Sequence, residues 1–518
     1  MSDENGSRDP KQPPSTSVYA IYGVEPEVQA YAMAKYSRSA LSMKESLREI
    51  SEQKAEKFLN TYYFQYGHRS IADLAHIALA IERLSILAAI AVVDEQRWDG
   101  QERSTRYQDF SHPDYYQPEF GGNSAARTLF RETIDCLFAE YQAISARMFA
   151  HLQERTPRPI DMKQEAYDRT LRARAFDVAR YLLPLATNTS LGEIVNARTL
   201  ESQITRLLSD RVPEVRALGE SLKEAARNPA YILNEAAFRE LWEKIRGCDE
   251  GWGDKVRDLL LKEVRPAPTL VKYAAASPYL MHSREELEAA AAELMAGAAI
   301  APAPPVDLLD DEPLEIEIAT TLLYEHCAYP YRQIRDRVAA LSAAECREIV
   351  DLGIKHRAPH DELLRAFNAG QTLRFDILMD IGGFRDLHRH RRCVQILQAF
   401  TDAHGYEVPD ELDAAGLRQR YDDAMSRVQG AVAELKRTAG EDTDAIYLLP
   451  LAFRKRTLFK MDFAEAAYIS ELRTTAAGHF SYRRIAYQMF EAVAHRYPTL
   501  ARHFRVTDVR EPVDLLKR

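Results

Sequence analysis

The sequence predicts an α+β protein made of two tandem copies of one helix-rich domain. Three observations carry that reading. The octapeptide Ala179-Arg-Tyr-Leu-Leu-Pro-Leu-Ala186 returns as Ala445-Ile-Tyr-Leu-Leu-Pro-Leu-Ala452, with seven of eight positions identical. The flanking features keep their order. An opening, SVYAIYGVEP near 17 and LVKYAAASPY near 270, precedes each octapeptide; an amphipathic closing segment, EVRALGESL at 214–222 and SYRRIAYQM at 481–489, follows it. Between these marks, long stretches carry apolar residues at three- and four-residue spacing, the pattern of amphipathic helices.

Residues 1–16 are polar and rich in Pro and Ser, the composition of a disordered tail. SVYAIYGV follows as a short β-type run. Helices are expected over 26–60, 70–95, 124–153 and 196–227. The most apolar stretch, Ile77 to Val93, is interrupted by Glu82 and Arg83 and reads as a buried helix. GWGDK and RPAP break the helical pattern near 250–268, so the copies are placed at 17–262 and 266–518. A Pro/Ala-rich insert at 296–313 reads as a loop inside the second copy. Helical patterns resume to about 504.

Composition narrows the class. A chain of 518 residues suggests two to four domains. With 46% hydrophobic and 28% charged residues it is neither disordered nor collagen-like, and it needs no disulfide staples. A net charge of -10 argues against nucleic acid as a partner. The five cysteines, Cys136, Cys248, Cys327, Cys346 and Cys393, are scattered and fit a reducing cytoplasm. The N-terminus has no apolar stretch of a secretory signal. The longest charge-free apolar run, Leu84 to Val93, is too short to cross a membrane.

Three groups of residues could carry chemistry. Arg385-Asp-Leu-His-Arg-His-Arg-Arg392 follows the apolar FDILMDIGGF. It reads either as a solvated basic helix face or as a site for an oxygen-rich anion, since guanidinium forks bind phosphate in pairs of hydrogen bonds. No interleaved aromatics favour base stacking. His388 and His390 diverge on a helix, and Pro359 separates His356 from His360, so no metal is expected. The second group is Gln101-Glu-Arg-Ser-Thr-Arg-Tyr107. On an extended backbone Glu102, Ser104 and Arg106 share one side, which is either a polar loop or a phosphate cradle. The third is a set of isolated polar residues beside apolar signals: His68, Arg180, Asn196, Arg198, Arg206, Arg473 and His479. Each is by itself a surface or capping residue or a ligand contact.

Together these residues resemble the flavin-dependent thymidylate synthase family. Its mark is Arg-His-Arg, seven residues, then Ser, usually continuing to Arg-Tyr, with an upstream Gly-His and downstream A-R-x-x-L-P-L and V-N-x-R-[ST]-L segments. The first half carries Gly67-His68, Ala179-Arg180 with LLPL, Val195-Asn-Ala-Arg-Thr-Leu200, and Glu102, Ser104, Arg106 and Tyr107 in the family's order. The second half carries Arg389-His-Arg391, the second LLPL, Glu471-Leu-Arg473 and His479. The resemblance implies a helix-rich domain with a small antiparallel sheet in each copy.

Each copy departs from the pattern in a different place. Asp94, Glu95 and Gln96 stand where Arg-His-Arg should precede Ser104. Ala399 and Thr401 stand where Ser and Arg should follow Arg391. Ile446 is opposite Arg180, and Asp462 is opposite Asn196. Arg473 falls on the family's nucleotide-orienting arginine, Arg206 needs a one-residue gap, and His360 is a poor match for His68.

In this family the flavin-gripping and phosphate-binding residues come from different chains of a homotetramer. The resemblance therefore implies a homodimer forming a pseudo-tetramer, with a composite site in which each copy supplies what the other lacks. It implies reductive C5 methylation of dUMP or a related pyrimidine nucleotide, with FAD, NADPH and methylenetetrahydrofolate. Arg473, Arg206 and Ser104 would be catalytic. Glu102, Ser104, Arg106, Arg180, Arg385 and Arg473 would bind the nucleotide. Arg389, His390, Arg391, His68, Asn196 and His479 would bind the flavin. The opposite pairing, with Asp94 and Glu95 facing a phosphate, should be silent. The alternatives are a flavin enzyme acting on another nucleotide-like substrate and a non-catalytic flavin- or nucleotide-binding regulator.

Overall fold

The structure is a computed structural model and describes residues 19, 21, 23–36, 43–49, 69–359, 361–438 and 442–516. The chain forms two compact units, residues 1–77 with 226–272, and residues 78–225 with 273–518. In the first unit the helix expected over 26–60 is described only as Pro26–Tyr36 and Met43–Glu49. The sequence break expected at GWGDK is instead a helix, Glu250–Leu260. Asp249 starts it by accepting a hydrogen bond from Trp252 N at 3.1 Å, as an N-cap does. The disordered-tail expectation, half of SVYAIYGV, His68 and His360 lie outside the described residues.

The second unit contains the cores of both copies. The helix expected over 70–95 is a strand followed by a helix: β1 (His76–Ser85) and Ile86–Val93. Ile77, Ile81 and Leu84 satisfy helical spacing, but Ser85 caps the later segment, its Oγ accepting from Ala88 N at 2.9 Å. The helix it starts is buried almost all round. β2 (Trp98–Glu102) and β3 (Asn188–Asn196) complete a sheet of order β1-β3-β2. The second copy repeats this plan. β5 (Leu373–Asp380) leads into helix Ile381–Leu387, capped by Asp380, whose Oδ1 accepts from Gly383 N at 2.6 Å. β6 (Val394–Leu397) and β7 (Arg454–Met461) give β5-β7-β6. β4 (Val306–Leu308) adds an edge strand to β5, so the 296–313 insert is not loop throughout.

The pairing registers coincide between copies. Asp99 faces Ile194 in β2–β3, and Val394 faces Lys460 in β6–β7. Position 94 in the first copy therefore corresponds to 389 in the second, and 196 corresponds to 462. The two octapeptides meet antiparallel around a Pro184–Pro450 bridge. Prolines donate nothing, so their neighbours do the pairing. Leu185 N donates to Leu449 O and Leu451 N to Leu183 O, both at 2.9 Å. Tyr181, Leu183, Leu185, Tyr447 and Leu451 are fully buried there. The repeated sequence is thus a pseudo-two-fold junction. Helix Ser124–Arg155 packs on Gln164–Ala179 and on Arg418–Thr438 of the second copy. Among the described residues, no helix is long and apolar enough to cross a membrane.

Candidate functional site

β2 ends at Glu102, and the chain turns at 105–107. The turn undoes the expected alternation. Glu102 pairs with Arg385 of the second copy, while Arg106 swings inward. Its Nε and Nη2 donate to Asp177 at 2.7 and 3.1 Å, Nη1 to the Tyr482 hydroxyl at 3.0 Å, and Nη2 also to Ala477 O. Burial works against its charge, but Asp177 more than offsets it, so Arg106 stays firmly protonated. Ser104 Oγ accepts from Arg106 N at 3.2 Å and steadies the turn.

The run 385–392 is not a solvated helix face. The helix stops at Leu387 because the chain must turn into β6, and Arg385, His388 and His390 are buried. Arg391 reaches Asp99 at 2.7 Å and lies over the Trp98 ring, 5.7 Å from its centroid. His390 Nε2 accepts from Arg473 Nε at 2.8 Å, and its Nδ1 sits 3.4 Å from Glu465. Burial depresses the His390 pKa, with Glu465 pulling the other way, so the ring is neutral with Nδ1 toward Glu465. Arg473 also lies over Tyr482, at 5.5 Å.

Arg389 is exposed. Asp386 sits among these cations, 3.5 Å from Arg180. Burial alone would raise its pKa, but Arg180, Arg106, Arg389 and Arg473 outweigh it and hold the carboxylate ionised. Arg180 is 2% exposed, and its Nε and Nη2 have no hydrogen-bond partner among the described residues. The fold thus gathers the Glu102–Arg106 segment of the first copy and Arg385, Arg389, His390, Arg391 and Arg473 of the second.

Other expected site residues are engaged within the fold. Asn196 caps helix Ala197–Leu208, accepting from Thr199 N at 2.9 Å. His479 caps helix Phe480–Arg496: its Nδ1 accepts from Ser481 N, and its Nε2 is 2.8 Å from Asp177 O. Burial lowers its pKa, and both ring nitrogens are engaged inside the fold. Arg206 donates to Ala91 O at 2.9 Å and stands 4.0 Å from both Asp94 and Glu95.

Asp94 and Glu95 mark the counterpart of the Arg-His-Arg segment. Asp94 pairs with Arg365. Burial would raise its pKa, but Arg365, Arg206 and His388 hold it far below the carboxylate range. Gln96 Nε2 donates to Cys393 O at 3.4 Å. Beside them lies a cavity of about 340 Å³ lined by Glu95, Arg97, Arg198, Ser202, Phe367 and Asn368.

Sequence reasoning missed Asp177, Asp386, Tyr482 and Arg365. Asp386 lay inside the basic run; only alignment of the two copies through their capping residues singles it out.

The family described as thymidylate synthase complementing protein matches residues 21–229 and 354–499. The chain is 27% identical to the UPF0159 protein of Chlamydia pneumoniae, over 97% of this chain and 93% of that one. It is 27% identical to the flavin-dependent thymidylate synthase of Clostridium tetani over 35% of this chain and 68% of that one. A crystal structure of flavin-dependent thymidylate synthase from Helicobacter pylori, complexed with FAD and dUMP, aligns with 39% of this chain and 89% of its own, at 16% identity and a TM-score of 0.24.

Proposed function

Because this chain belongs to the thymidylate synthase complementing protein family, that of the flavin-dependent thymidylate synthases, and carries it as two tandem copies, we propose that it methylates C5 of dUMP or a closely related pyrimidine nucleotide. The site is composite, built where β2 and its turn meet the 385–391 segment. One observation carries this reading: the copy that kept Ser104 and Arg106 is folded against the copy that kept Arg389, His390 and Arg391.

The donor set suits a flavin. Arg389, Arg391 and the exposed Arg392 line one stretch of chain, and guanidinium forks match the oxygens of a diphosphate. The counterpart stretch offers Asp94, Glu95 and Gln96 and does not suit one. When bound, the flavin supplies the redox chemistry, with NADPH as reductant and methylenetetrahydrofolate as one-carbon donor. The chain's own residues bind and orient. His390 and Tyr482 fix the Arg473 guanidinium, which can then hold the pyrimidine in one pose. The Ser104 hydroxyl would bind the phosphate end. Arg106, locked onto Asp177, keeps that turn in shape. With one complete site per chain, two chains make a pseudo-tetramer.

Purified protein tests this. It should be yellow, with no more than about one flavin per chain, and dUMP should trigger oxidation of the reduced flavin. Light scattering should report a dimer of 59.0 kDa chains. A protein that binds neither flavin nor dUMP, or fails to rescue a thymidine auxotroph, overturns the reading.

A further inference from the structure

We propose that Asp386 is the internal counter-anion of the composite site: it holds Arg180 and the neighbouring guanidiniums together until the anionic group of a ligand takes them over. The substrate identity rests on the proposed function, but the counter-anion role does not.

The two copies carry the argument. Asp386 lies six residues after the capping Asp380; six residues after the corresponding cap, Ser85, lies Ala91. Arg180 corresponds to Ile446. The Arg180–Asp386 pair is therefore an alanine and an isoleucine in the other arrangement, and the same architecture closes without it. The architecture itself does not require the pair. Other charges nearby follow the same rule: Arg106 and Asp177 correspond to Thr401 and Thr443, and Arg389 corresponds to Asp94.

Room has been made for Arg180 as well. Gly382 stands where the first copy has Leu87, each donating its N–H to the octapeptide of its own copy, to Leu451 O and Leu185 O respectively. A Cβ on Gly382 would lie 3.3 Å from Arg180 Nη2. A larger side chain there would crowd the guanidinium. Two nitrogens of this buried group have no hydrogen-bond partner among the described residues, a costly arrangement for a cation. Asp386 offers a single contact at 3.5 Å, long for a charged hydrogen bond. Arg106 is neutralised by Asp177. Arg180, Arg389 and Arg473 outnumber Asp386, with Asp380 the further carboxylate acting on Arg180, and such a cluster suits an anionic ligand group such as a phosphate.

The test uses the full chain and its Asp386→Asn and Asp386→Ala variants, titrated with inorganic phosphate and with dUMP at low and high salt. Removing the competing carboxylate should tighten phosphate binding about tenfold at low salt and less at high salt. The ligand-free variants should melt lower than wild type, and phosphate should restore them. The alanine variant reproduces the residue at position 91, so it is compatible with this architecture. Unchanged or weaker phosphate binding in a folded variant overturns the proposal. If phosphate tightens but dUMP binds no better than phosphate, the counter-anion stands and the nucleotide reading falls. If dUMP binds tightly while the substitutions leave both anions unmoved, the reverse holds.

Discussion

The two copies share one clasp with its partners exchanged. In the first, Ser85 Oγ donates to Glu214 Oε2 at 2.6 Å; in the second, Ser481 Oγ donates to Asp380. Ser85 corresponds to Asp380 and Glu214 to Ser481. The fold requires a hydroxyl and a carboxylate at this point and is indifferent to which copy position holds which. The ligand-facing charges behave otherwise. Arg389, His390 and Arg391 face Asp94, Glu95 and Gln96 as counterparts, and no exchange restores the lost cations. Asp94 is instead neutralised by Arg365. Internal pairs have diverged while conserving their chemistry; the site residues have divided the work.

The largest effect should separate Arg473 from Arg206. Arg473→Ala should lower kcat/KM for dUMP-dependent flavin oxidation about a thousandfold, as loss of an orienting cation does. Arg206→Ala should stay within about threefold, because Arg206 faces Ala91 and Glu95. Equal losses would break the division into a live and a silent side. Next, Leu183→Ala and Leu449→Ala should each cost about 3 kcal/mol in urea unfolding, since both leave cavities at a fully packed junction. Costs differing by more than about 2 kcal/mol would show that the junction is two-fold in backbone only. Third, Arg389→Ala with Arg391→Ala should weaken flavin binding about a hundredfold by fluorescence titration, whereas Gln96→Ala should leave it unmoved.

The smallest expected effect concerns Glu193, whose counterpart is Phe459. Burial pushes its carboxyl up to about 7, with Gln203 pulling it down. Between about pH 4.5 and 7 the folded protein keeps a proton that the unfolded chain releases, so stability falls as pH rises through that window. Glu193→Gln keeps the hydrogen bond from Gln203 and escapes the loss. It should match wild type below about pH 4.5 and gain about 2 kcal/mol above pH 7 in thermal or urea unfolding. A pH-independent difference would place the titration elsewhere.

The duplication was legible because an octapeptide with a buried tyrosine and a proline tolerates little change where two backbones pair. β1 was not legible. His76–Ser85 has apolar residues that suit either period, and only the Ser85 cap marks where helix begins. Of the site, the cations were legible and their tethers were not. Arg106 next to Ser104 signals a phosphate loop, yet its anchor Asp177 is distant in sequence, and so is Tyr482. Arg385 and Glu102 both read as ligand contacts; only the fold reveals that they satisfy each other.

The main-chain bonds among Leu183, Leu185, Leu449 and Leu451 have a kinetic meaning. The half bearing Ser104 and the half bearing Arg389 meet in a first-order step, within one polypeptide. Dilution cannot part them, and subunit exchange cannot mate one defective half with another of its kind.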